Sequence, residues 1–186
     1  AMPMTFSRLH HVLYDGCDPT SLPRWQSADD RVMGGDSIAH VEQKIEEDAR
    51  LACLSGRVSL ANRGGFIQME WPVEPSAFDL SSMSGVYLEV HGNGEAYNVH
   101  LRTRQLWLPW QSYRQTFNAT QSWQTIYLPF SAFMGYKTSK PLEPAELSKI
   151  GIVAIGRAFE VDVCVRHLGL YREDAAVSQA ARSMKP

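Results

Sequence analysis

The sequence has no long apolar run and no excess of charge of one sign. No apolar stretch approaches the roughly 18 residues that a membrane-spanning helix needs, and the formal net charge at pH 7 is −2. Because Lys and Arg form no cluster, the chain offers no general attraction to phosphate backbones or anionic lipid. We therefore predict no membrane span and no nucleic-acid partner.

Cysteine is scarce. Cys17, Cys53 and Cys164 lie far apart and show no C-x-x-C spacing that would bind zinc or support redox work. We expect buried or free thiols in a reducing compartment. The first residues, Ala1-Met2-Pro3-Met4, lack the charged start and apolar block of an export signal. Together these features predict a soluble, cytoplasmic protein.

Signatures of catalysis are missing as well. The sequence contains no G-x-S-x-G elbow, no H-E-x-x-H pair, no phosphate-binding loop and no G-x-G-x-x-G fingerprint. The diglycines Gly34-Gly35 and Gly64-Gly65 lack the Lys and Ser/Thr of a phosphate cradle, so turns or bulges explain them. We predict a non-enzymatic protein with no catalytic residue and no cofactor.

No set of metal ligands stands out. His91, His100 and Glu89 could approach one another, but a zinc site needs its ligands placed tetrahedrally. The oxygens of Asp15, Asp18 and Glu160 show no recognisable calcium spacing. We predict no metal site.

What the sequence does contain is a series of short strand-like runs. Apolar or alternating segments recur between Gly, Pro, Asn and Asp clusters, at a spacing typical of β-sandwiches and barrels. The 186 residues fit one domain, expected over 12–171, with 1–11 and 172–186 as terminal extensions. The predicted strands are 50–54, 66–71, 86–90, 97–103, 113–117, 125–128, 150–155 and 159–165. A helical turn is predicted at 144–149, and 38–45 fits either a helix or a strand.

The strands 86–90 and 97–103 predict a hairpin. Asn93-Gly94 is a favoured two-residue turn, because both central residues need positive φ. The pairing places the apolar residues of both strands on one face. The opposite, polar face is either plain surface or the floor of a groove, and it carries Tyr87, Glu89, His91, Asn98, His100 and Arg102.

The strands near the C-terminus differ in character. Residues 150–155 are apolar on both faces, which indicates a central strand covered on both sides. Residues 159–165 alternate between apolar and polar, so one face of that strand packs into the core.

An aromatic loop joins two of the strands. It reads Trp107-Leu108-Pro109-Trp110, and Tyr113 follows closely. Two interpretations remain open. The loop folds back to cap the sandwich, or it presents a contact surface for a protein or a sugar.

Several segments together resemble one family. Residues 25–37 read WQSADDRVMGGDS and resemble the W-x-x-x-x-D-x-V-M-G-G-x-S opening of the complex I intermediate-associated protein family. Further matches follow in the same order over about 14–171, although Asn93 stands where the family usually has Asp. They are Leu54-Ser55-Gly56, Gly64-Gly65-Phe66, Gly92 to Tyr97, Leu101-Arg102, Trp123, Leu128-Pro129-Phe130 and Phe133.

The resemblance implies an all-β, galactose-binding-like jelly-roll β-sandwich, a fold that some carbohydrate-binding modules share. The best-known family member is a non-enzymatic assembly chaperone for the respiratory NADH:ubiquinone oxidoreductase. We therefore expect a protein partner, such as respiratory complex subunits, with a glycan on the concave face as the alternative. Asp30, Arg31 and Arg102 either form an ion pair that pins the opening loop or contact a ligand. The candidate binding residues are Asp30, Arg31, Tyr87, Asn98, His100, Arg102, Trp107, Trp110 and Tyr113.

Overall fold

Twelve β-strands make up the described part of the chain, residues 8–29, 35, 37–61, 65–74 and 79–173, in the computed structural model. Short 3-10 turns lie at Leu80–Ser82, Phe130–Ala132 and Pro144–Glu146. Within these residues, no helix has the length and apolarity that a membrane-spanning segment needs. The strands are β1 (Arg8–Asp15), β2 (Gln26–Asp29), β3 (Ile38–Glu46), β4 (Ala49–Val58), β5 (Phe66–Pro72), β6 (Gly85–Gly92), β7 (Ala96–Thr103), β8 (Ser112–Asn118), β9 (Gln124–Pro129), β10 (Met134–Tyr136), β11 (Leu147–Ile155) and β12 (Phe159–Glu173).

The strands form two antiparallel sheets that pack face to face. The first sheet has the order β3-β4-β12-β6-β9, with β1 also paired to β12, and the second has the order β10-β8-β7-β11-β5-β2. Alternate aliphatic residues of both sheets point inward and form one core. This arrangement confirms the predicted all-β sandwich.

Each of the eight predicted strands falls within an observed strand. The segment 38–45, which fitted either a helix or a strand, belongs to β3. It turns tightly into β4 through Glu47 and Asp48, whose φ angles of 50° and 67° match the two-residue turn that hairpins favour. The predicted helical turn at 144–149 holds only for Pro144–Glu146, because β11 begins at Leu147.

The predicted hairpin between 86–90 and 97–103 is wrong. β6 pairs with β9 and β12, whereas β7 pairs with β8 and β11, so the two strands lie in different sheets. The connection crosses from one sheet to the other at Asn93, whose side-chain amide donates to the Glu160 carbonyl at 3.0 Å. The Asn93 amide oxygen accepts from the Tyr97 hydroxyl at 2.7 Å.

The predicted faces are nonetheless correct. Val86 and Leu88 of β6, and Val99 and Leu101 of β7, are fully buried in the shared core. The alternation of apolar and polar residues is the same in strands that pair within one sheet and in strands that face each other across the core, so it does not distinguish the two arrangements. The polar residues of β6 and β7 therefore lie on opposite outer faces of the sandwich, and the sheets separate His91 from His100.

The expectation of free thiols is wrong for two of the three cysteines. Cys53 of β4 and Cys164 of β12 are cross-strand neighbours with a Cα–Cα distance of 4.1 Å, and they form a disulfide. Both are buried on the outer side of the first sheet, beside Leu51 and Trp123. Their separation of 111 residues hid the pairing from sequence analysis. Cys17 is a free, exposed thiol.

β11 and β12 follow their predicted patterns in part. β11 lies between β7 and β5, as predicted for a central strand, but the outer side that was expected to be covered lines a groove through Gly151, Val153 and Ile155. In β12, Val161, Val163 and Val165 point into the core. Beyond them a register shift reverses the alternation, and Leu168 becomes a core residue. The predicted extensions 1–11 and 172–186 lie mostly outside the described residues.

We predict that removing the disulfide weakens the fold. The double variant Cys53→Ser/Cys164→Ser should lose about 2–4 kcal/mol of unfolding free energy, because the bond closes a long chain loop in the unfolded state. Urea denaturation without reductant measures this loss, and Cys17→Ser is the matched control, since Cys17 forms no disulfide. Denatured wild-type protein should show a single reactive thiol per chain. Full reactivity of all cysteines before reduction would contradict the pairing.

Candidate binding groove and tryptophan loop

A groove of about 600 Å³ lies on the outer face of the second sheet. Its floor consists of outward-pointing residues of β5, β7 and β11, which alternate with residues buried in the core. Gly151 carries no side chain and keeps the middle of the floor low. The wall on the β10 side comes from Trp110, Arg114 and Tyr136.

The groove lining contains one acidic side chain, Glu70, and three basic ones, Arg102, Arg114 and Lys149. Lys149 Nζ lies 3.2 Å from the Glu70 carboxylate, and Gln68 donates to the same carboxylate at 2.7 Å. On the opposite wall, the Arg114 guanidinium stacks on the Tyr136 ring at 3.6 Å from its centroid. Within the lining, Glu70 balances Lys149, whereas the Arg102 and Arg114 charges have no acidic partner there.

His100 lies in the floor and is 9% exposed. Its Nε2 atom is buried and has no hydrogen-bond partner among the described residues. Burial lowers the pKa of His100 to about 3, and the nearby Arg114 charge adds to this effect. The ring is therefore neutral at physiological pH, with one N–H donor and one acceptor nitrogen.

The loop between β7 and β8, residues 104–111, is called the tryptophan loop below. Arg102 holds it from beneath. The Arg102 Nη1 atom donates to the carbonyls of Leu108, Pro109 and Gln111 at 2.5–3.2 Å, and Nη2 donates to the Leu106 carbonyl at 3.3 Å. One guanidinium thus satisfies four loop carbonyls.

Gln111 adds a second brace to the same loop. Its side-chain oxygen accepts from the Leu108 backbone N–H at 3.1 Å, and its amide donates to the Lys137 carbonyl at 3.1 Å, next to β10. Within this braced loop, only Leu106 folds into the core, at 6% exposed. Trp107 is 86% exposed and Trp110 is 56% exposed. Of the two interpretations of the loop, exposure of the tryptophans favours the contact surface.

The tryptophan loop and the adjacent edge strand β10 carry several exposed apolar side chains. This aromatic patch consists of Trp107, Leu108, Trp110, Met134 and Tyr136, all of them exposed. β10 pairs with β8 and occupies the edge of the sheet, which brings Tyr136 beside Ser112 and the end of the loop. Apolar side chains that are exposed together mark contact sites on protein surfaces.

The structure brings together five of the predicted binding residues. Asn98, His100 and Arg102 lie on the groove face of β7, with Trp107 and Trp110 in the adjoining loop. Asn98 accepts a hydrogen bond from Thr116 at 2.7 Å. Arg102 is engaged by the loop carbonyls. Asp30 and Arg31 lie outside the described residues, and their binding role stays a prediction.

Two predicted residues lie elsewhere. Tyr87 sits on the outer face of the first sheet, within 4.7 Å of the His10 ring, so it cannot share a groove with His100. Burial raises the pKa of Tyr87 to about 12. Tyr113 points into the core, and its hydroxyl donates to the Lys140 carbonyl at 2.9 Å. Tyr87 and Tyr113 therefore do not lie on one surface with the other candidate binding residues, contrary to expectation.

Sequence reasoning missed the other groove residues. Gln68 and Glu70 alternate with the buried Ile67 and Met69, so their outward position was readable from the pattern. Nothing in the sequence indicated that β5 lies across β11 from β7, which is what brings them to the same floor as His100.

The sandwich and its groove define a jelly-roll protein, and comparison with solved structures agrees. The family 11 carbohydrate-binding module from Clostridium thermocellum, in complex with a β-1,3-1,4-mixed-linked tetrasaccharide, matches with a TM-score of 0.69 at 14% identity, over 87% of this chain and 95% of that one. The family 30 carbohydrate-binding module of a cellulosomal cellulase from the same organism matches with a TM-score of 0.61 at 15% identity, over 90% and 99%. At such low identity the likeness establishes the fold alone.

Sequence comparison gives the family. The model of the complex I intermediate-associated protein 30 (CIA30) family matches residues 15–163. The chain belongs to this family, which confirms the resemblance described above. No curated protein matches the sequence significantly.

We predict that His100 makes the fold acid-sensitive. Its pKa is about 3 in the folded protein and near 6.5 when unfolded, so only the unfolded chain binds the proton between these values. Stability should fall as the pH drops from 6.5 toward 4, by up to about 1.4 kcal/mol per pH unit. Urea denaturation at several pH values should give a flatter slope for His100→Gln than for the wild type. The neighbouring Asn98→Ala should keep the wild-type slope, and an unchanged slope in His100→Gln would refute the assignment.

Proposed function

We propose that the chain is a non-enzymatic binding module that docks a protein partner through the aromatic patch. The observation that carries this proposal is the 86% exposure of Trp107 in a loop whose backbone is braced by Arg102. A tryptophan that is exposed on a mobile loop says little about function. Here the loop is fixed by hydrogen bonds and keeps the Trp107 ring in solvent, which is a geometry that suits a contact.

The energetics of association favour such an arrangement. Tryptophan, tyrosine and arginine dominate the residues that carry binding energy at protein interfaces. Ordering a loop upon binding costs free energy, and a loop that is ordered beforehand avoids much of that cost. The carbonyl contacts of Arg102 and the brace of Gln111 supply this order without using any side chain of the patch.

Family membership indicates the class of partner. The family takes its name from an intermediate of complex I, and assembly factors bind partly built complexes without catalysing a reaction. We infer that the partner is a subunit of a respiratory complex whose surface is still exposed before assembly is finished. A small apolar patch next to a groove suits the capture of a protruding side chain or an extended segment.

The sequence and the structure favour different cellular compartments for this binding. The expectation from the sequence is the cytoplasm. The Cys53–Cys164 disulfide favours an oxidising compartment, because such bonds are rare in the cytoplasm. The thiol count described above, made on protein from its native cells, decides between the two.

The patch should lose its partner when its most exposed ring is removed. We expect Trp107→Ser to weaken binding to purified subunits of NADH:ubiquinone oxidoreductase from the same organism by about tenfold or more, as for other interface tryptophans. Arg102→Gln should weaken binding too, although it leaves the patch side chains intact. Biolayer interferometry measures both. Ile45→Ser, an 80% exposed apolar residue on the other sheet, is the control. Equal affinity of Trp107→Ser and wild type would overturn the proposal.

A glycan is the second candidate, and the groove is the observation that favours it. Sugar rings stack on aromatic faces, while their hydroxyls bond to a few fixed polar groups. Trp110 offers the free ring here, because Arg114 covers Tyr136. Gln68, Glu70 and Lys149 offer the polar groups. The solved neighbour that binds a tetrasaccharide shares this fold.

Calorimetric titration with β-1,3-1,4-mixed-linked tetrasaccharide tests the second candidate. If the groove binds it, the heat should disappear in the double variant Gln68→Ala/Trp110→Ala. Trp107→Ser should retain the heat, since Trp107 belongs to the patch and not to the groove lining. Absence of heat in the wild type, with this and other glucan oligosaccharides, would remove the glycan and leave the protein partner.

A further inference from the structure

Three side chains form a row across the outer face of the first sheet, far from the groove. Asp15 of β1 is the cross-strand partner of His167 of β12, and His167 is the partner of Glu89 of β6. His167 Nε2 lies 2.7 Å from the Asp15 carboxylate, and His167 Nδ1 lies 3.1 Å from the Glu89 carboxylate. Both ring nitrogens therefore face a carboxylate.

A bulge in β12 turns His167 toward this face. Val165 pairs with Val90 and His167 pairs with Glu89, so Arg166 is an extra residue without a partner position on β6. Because of this extra residue, Arg166 and His167 both point outward, and Arg166 forms an ion pair with Glu89. Bulges re-aim side chains in this way, and they are frequent beside functional sites.

A tight turn after β1 brings a thiol to the same place. The Cys17 backbone N–H donates to the Asp15 carboxylate at 2.8 Å. Gly16 allows the turn, because a Cβ there would lie 2.1 Å from the Arg50 carbonyl oxygen. The Cys17 sulfur, a carboxylate oxygen of Asp15 and a ring nitrogen of His167 all lie within 4.8 Å of one another.

The two carboxylates beside His167 match the surroundings of a metal-binding histidine. A metal ion beside Nε2 would accept the lone pair of that nitrogen, bind Asp15 as well, and leave Nδ1–H to donate to Glu89. Metal-binding histidines almost always donate their other N–H to a carboxylate or a carbonyl.

We propose that Asp15, Cys17 and His167 bind a Zn²⁺ ion, with Glu89 orienting the His167 ring. Thiolate, imidazole and carboxylate are the ligands that zinc takes in proteins. Calcium and magnesium prefer sites made of oxygen ligands alone, whereas this set includes a thiolate and an imidazole. Three protein ligands leave a fourth position for water or another molecule. The ligands come from positions 15 to 167, which is why no spacing in the sequence indicated the site.

Such a site ties the end of β1 to β12. The side chains of Asp15 and His167 are 31% and 23% exposed, and Cys17 is exposed, so an ion can enter from solvent. A ligand that binds the folded chain alone stabilises it. The site shares no residue with the groove or the aromatic patch, so its test is independent of the proposed function.

Zinc titration of the full chain by calorimetry tests the site, with a non-chelating reductant to keep Cys17 reduced. The wild type should bind one ion per chain. Cys17→Ser and His167→Gln should each weaken binding by about tenfold or more. Glu89→Gln should weaken it by about 10–100-fold, as for other outer partners of a metal-binding histidine. His40→Gln, an exposed histidine on β3, should bind as the wild type does.

Cobalt gives a second readout that reports on the thiol directly. Co²⁺ bound in place of zinc should show a sulfur-to-metal charge-transfer band in the wild type and in His40→Gln, but not in Cys17→Ser. Because Cys17 is exposed in a turn, Cys17→Ser should fold normally, which circular dichroism checks. No zinc binding by the wild type, binding unchanged in Cys17→Ser, or half an ion per chain with dimer formation would each overturn the site.

Discussion

Burial of alternating aliphatic side chains between the two sheets determines where every other feature lies. Val86 and Leu88 from one layer, and Val99 and Ile152 from the other, are excluded from water. At roughly 25 cal/mol per Å² of apolar surface, this burial is the largest favourable contribution to folding. Because each strand turns one side inward, its other side faces outward. The molecule therefore has two outer faces on which chemistry can be placed, and the core keeps them apart.

The second sheet uses its outer face for a groove and for a loop that stands above it. Arg102 connects the two, since it rises from β7 beside the floor and ends among the loop carbonyls. The Arg102 guanidinium donates to four backbone oxygens, and Arg102 also lines the groove. These hydrogen bonds fix the loop and give the tryptophans a defined position, so the exposure of the tryptophans is a property of the fold. A residue that the sequence offered as a ligand contact thus supports the loop, and its contact with a ligand stays a prediction.

The inward or outward direction of each side chain was readable from the sequence, because it depends on a local period of two. Strand partners were not, because they depend on residues far away in the chain. Thus 86–90 and 97–103 were assigned correct faces and a wrong pairing, and Tyr87 was separated from His100 by the whole core. The same limit applies to Cys53 with Cys164 and to Cys17 with His167. The family motifs gave the fold, since they extend over most of the domain, but they do not contain the groove residues Gln68, Glu70 and Lys149.

The two outer faces also differ in their sensitivity to redox conditions. All three cysteines lie on the side of the first sheet, two in the Cys53–Cys164 bond and one at the turn that contains Cys17. An oxidising environment preserves the bond and threatens the free thiol, whereas metal coordination protects a thiolate from oxidation. The groove lining contains no cysteine. The proposed binding at the groove and patch would therefore involve no thiol that changes with the redox state. That state would instead act on the first sheet, by changing the stability of β4, β12 and the end of β1.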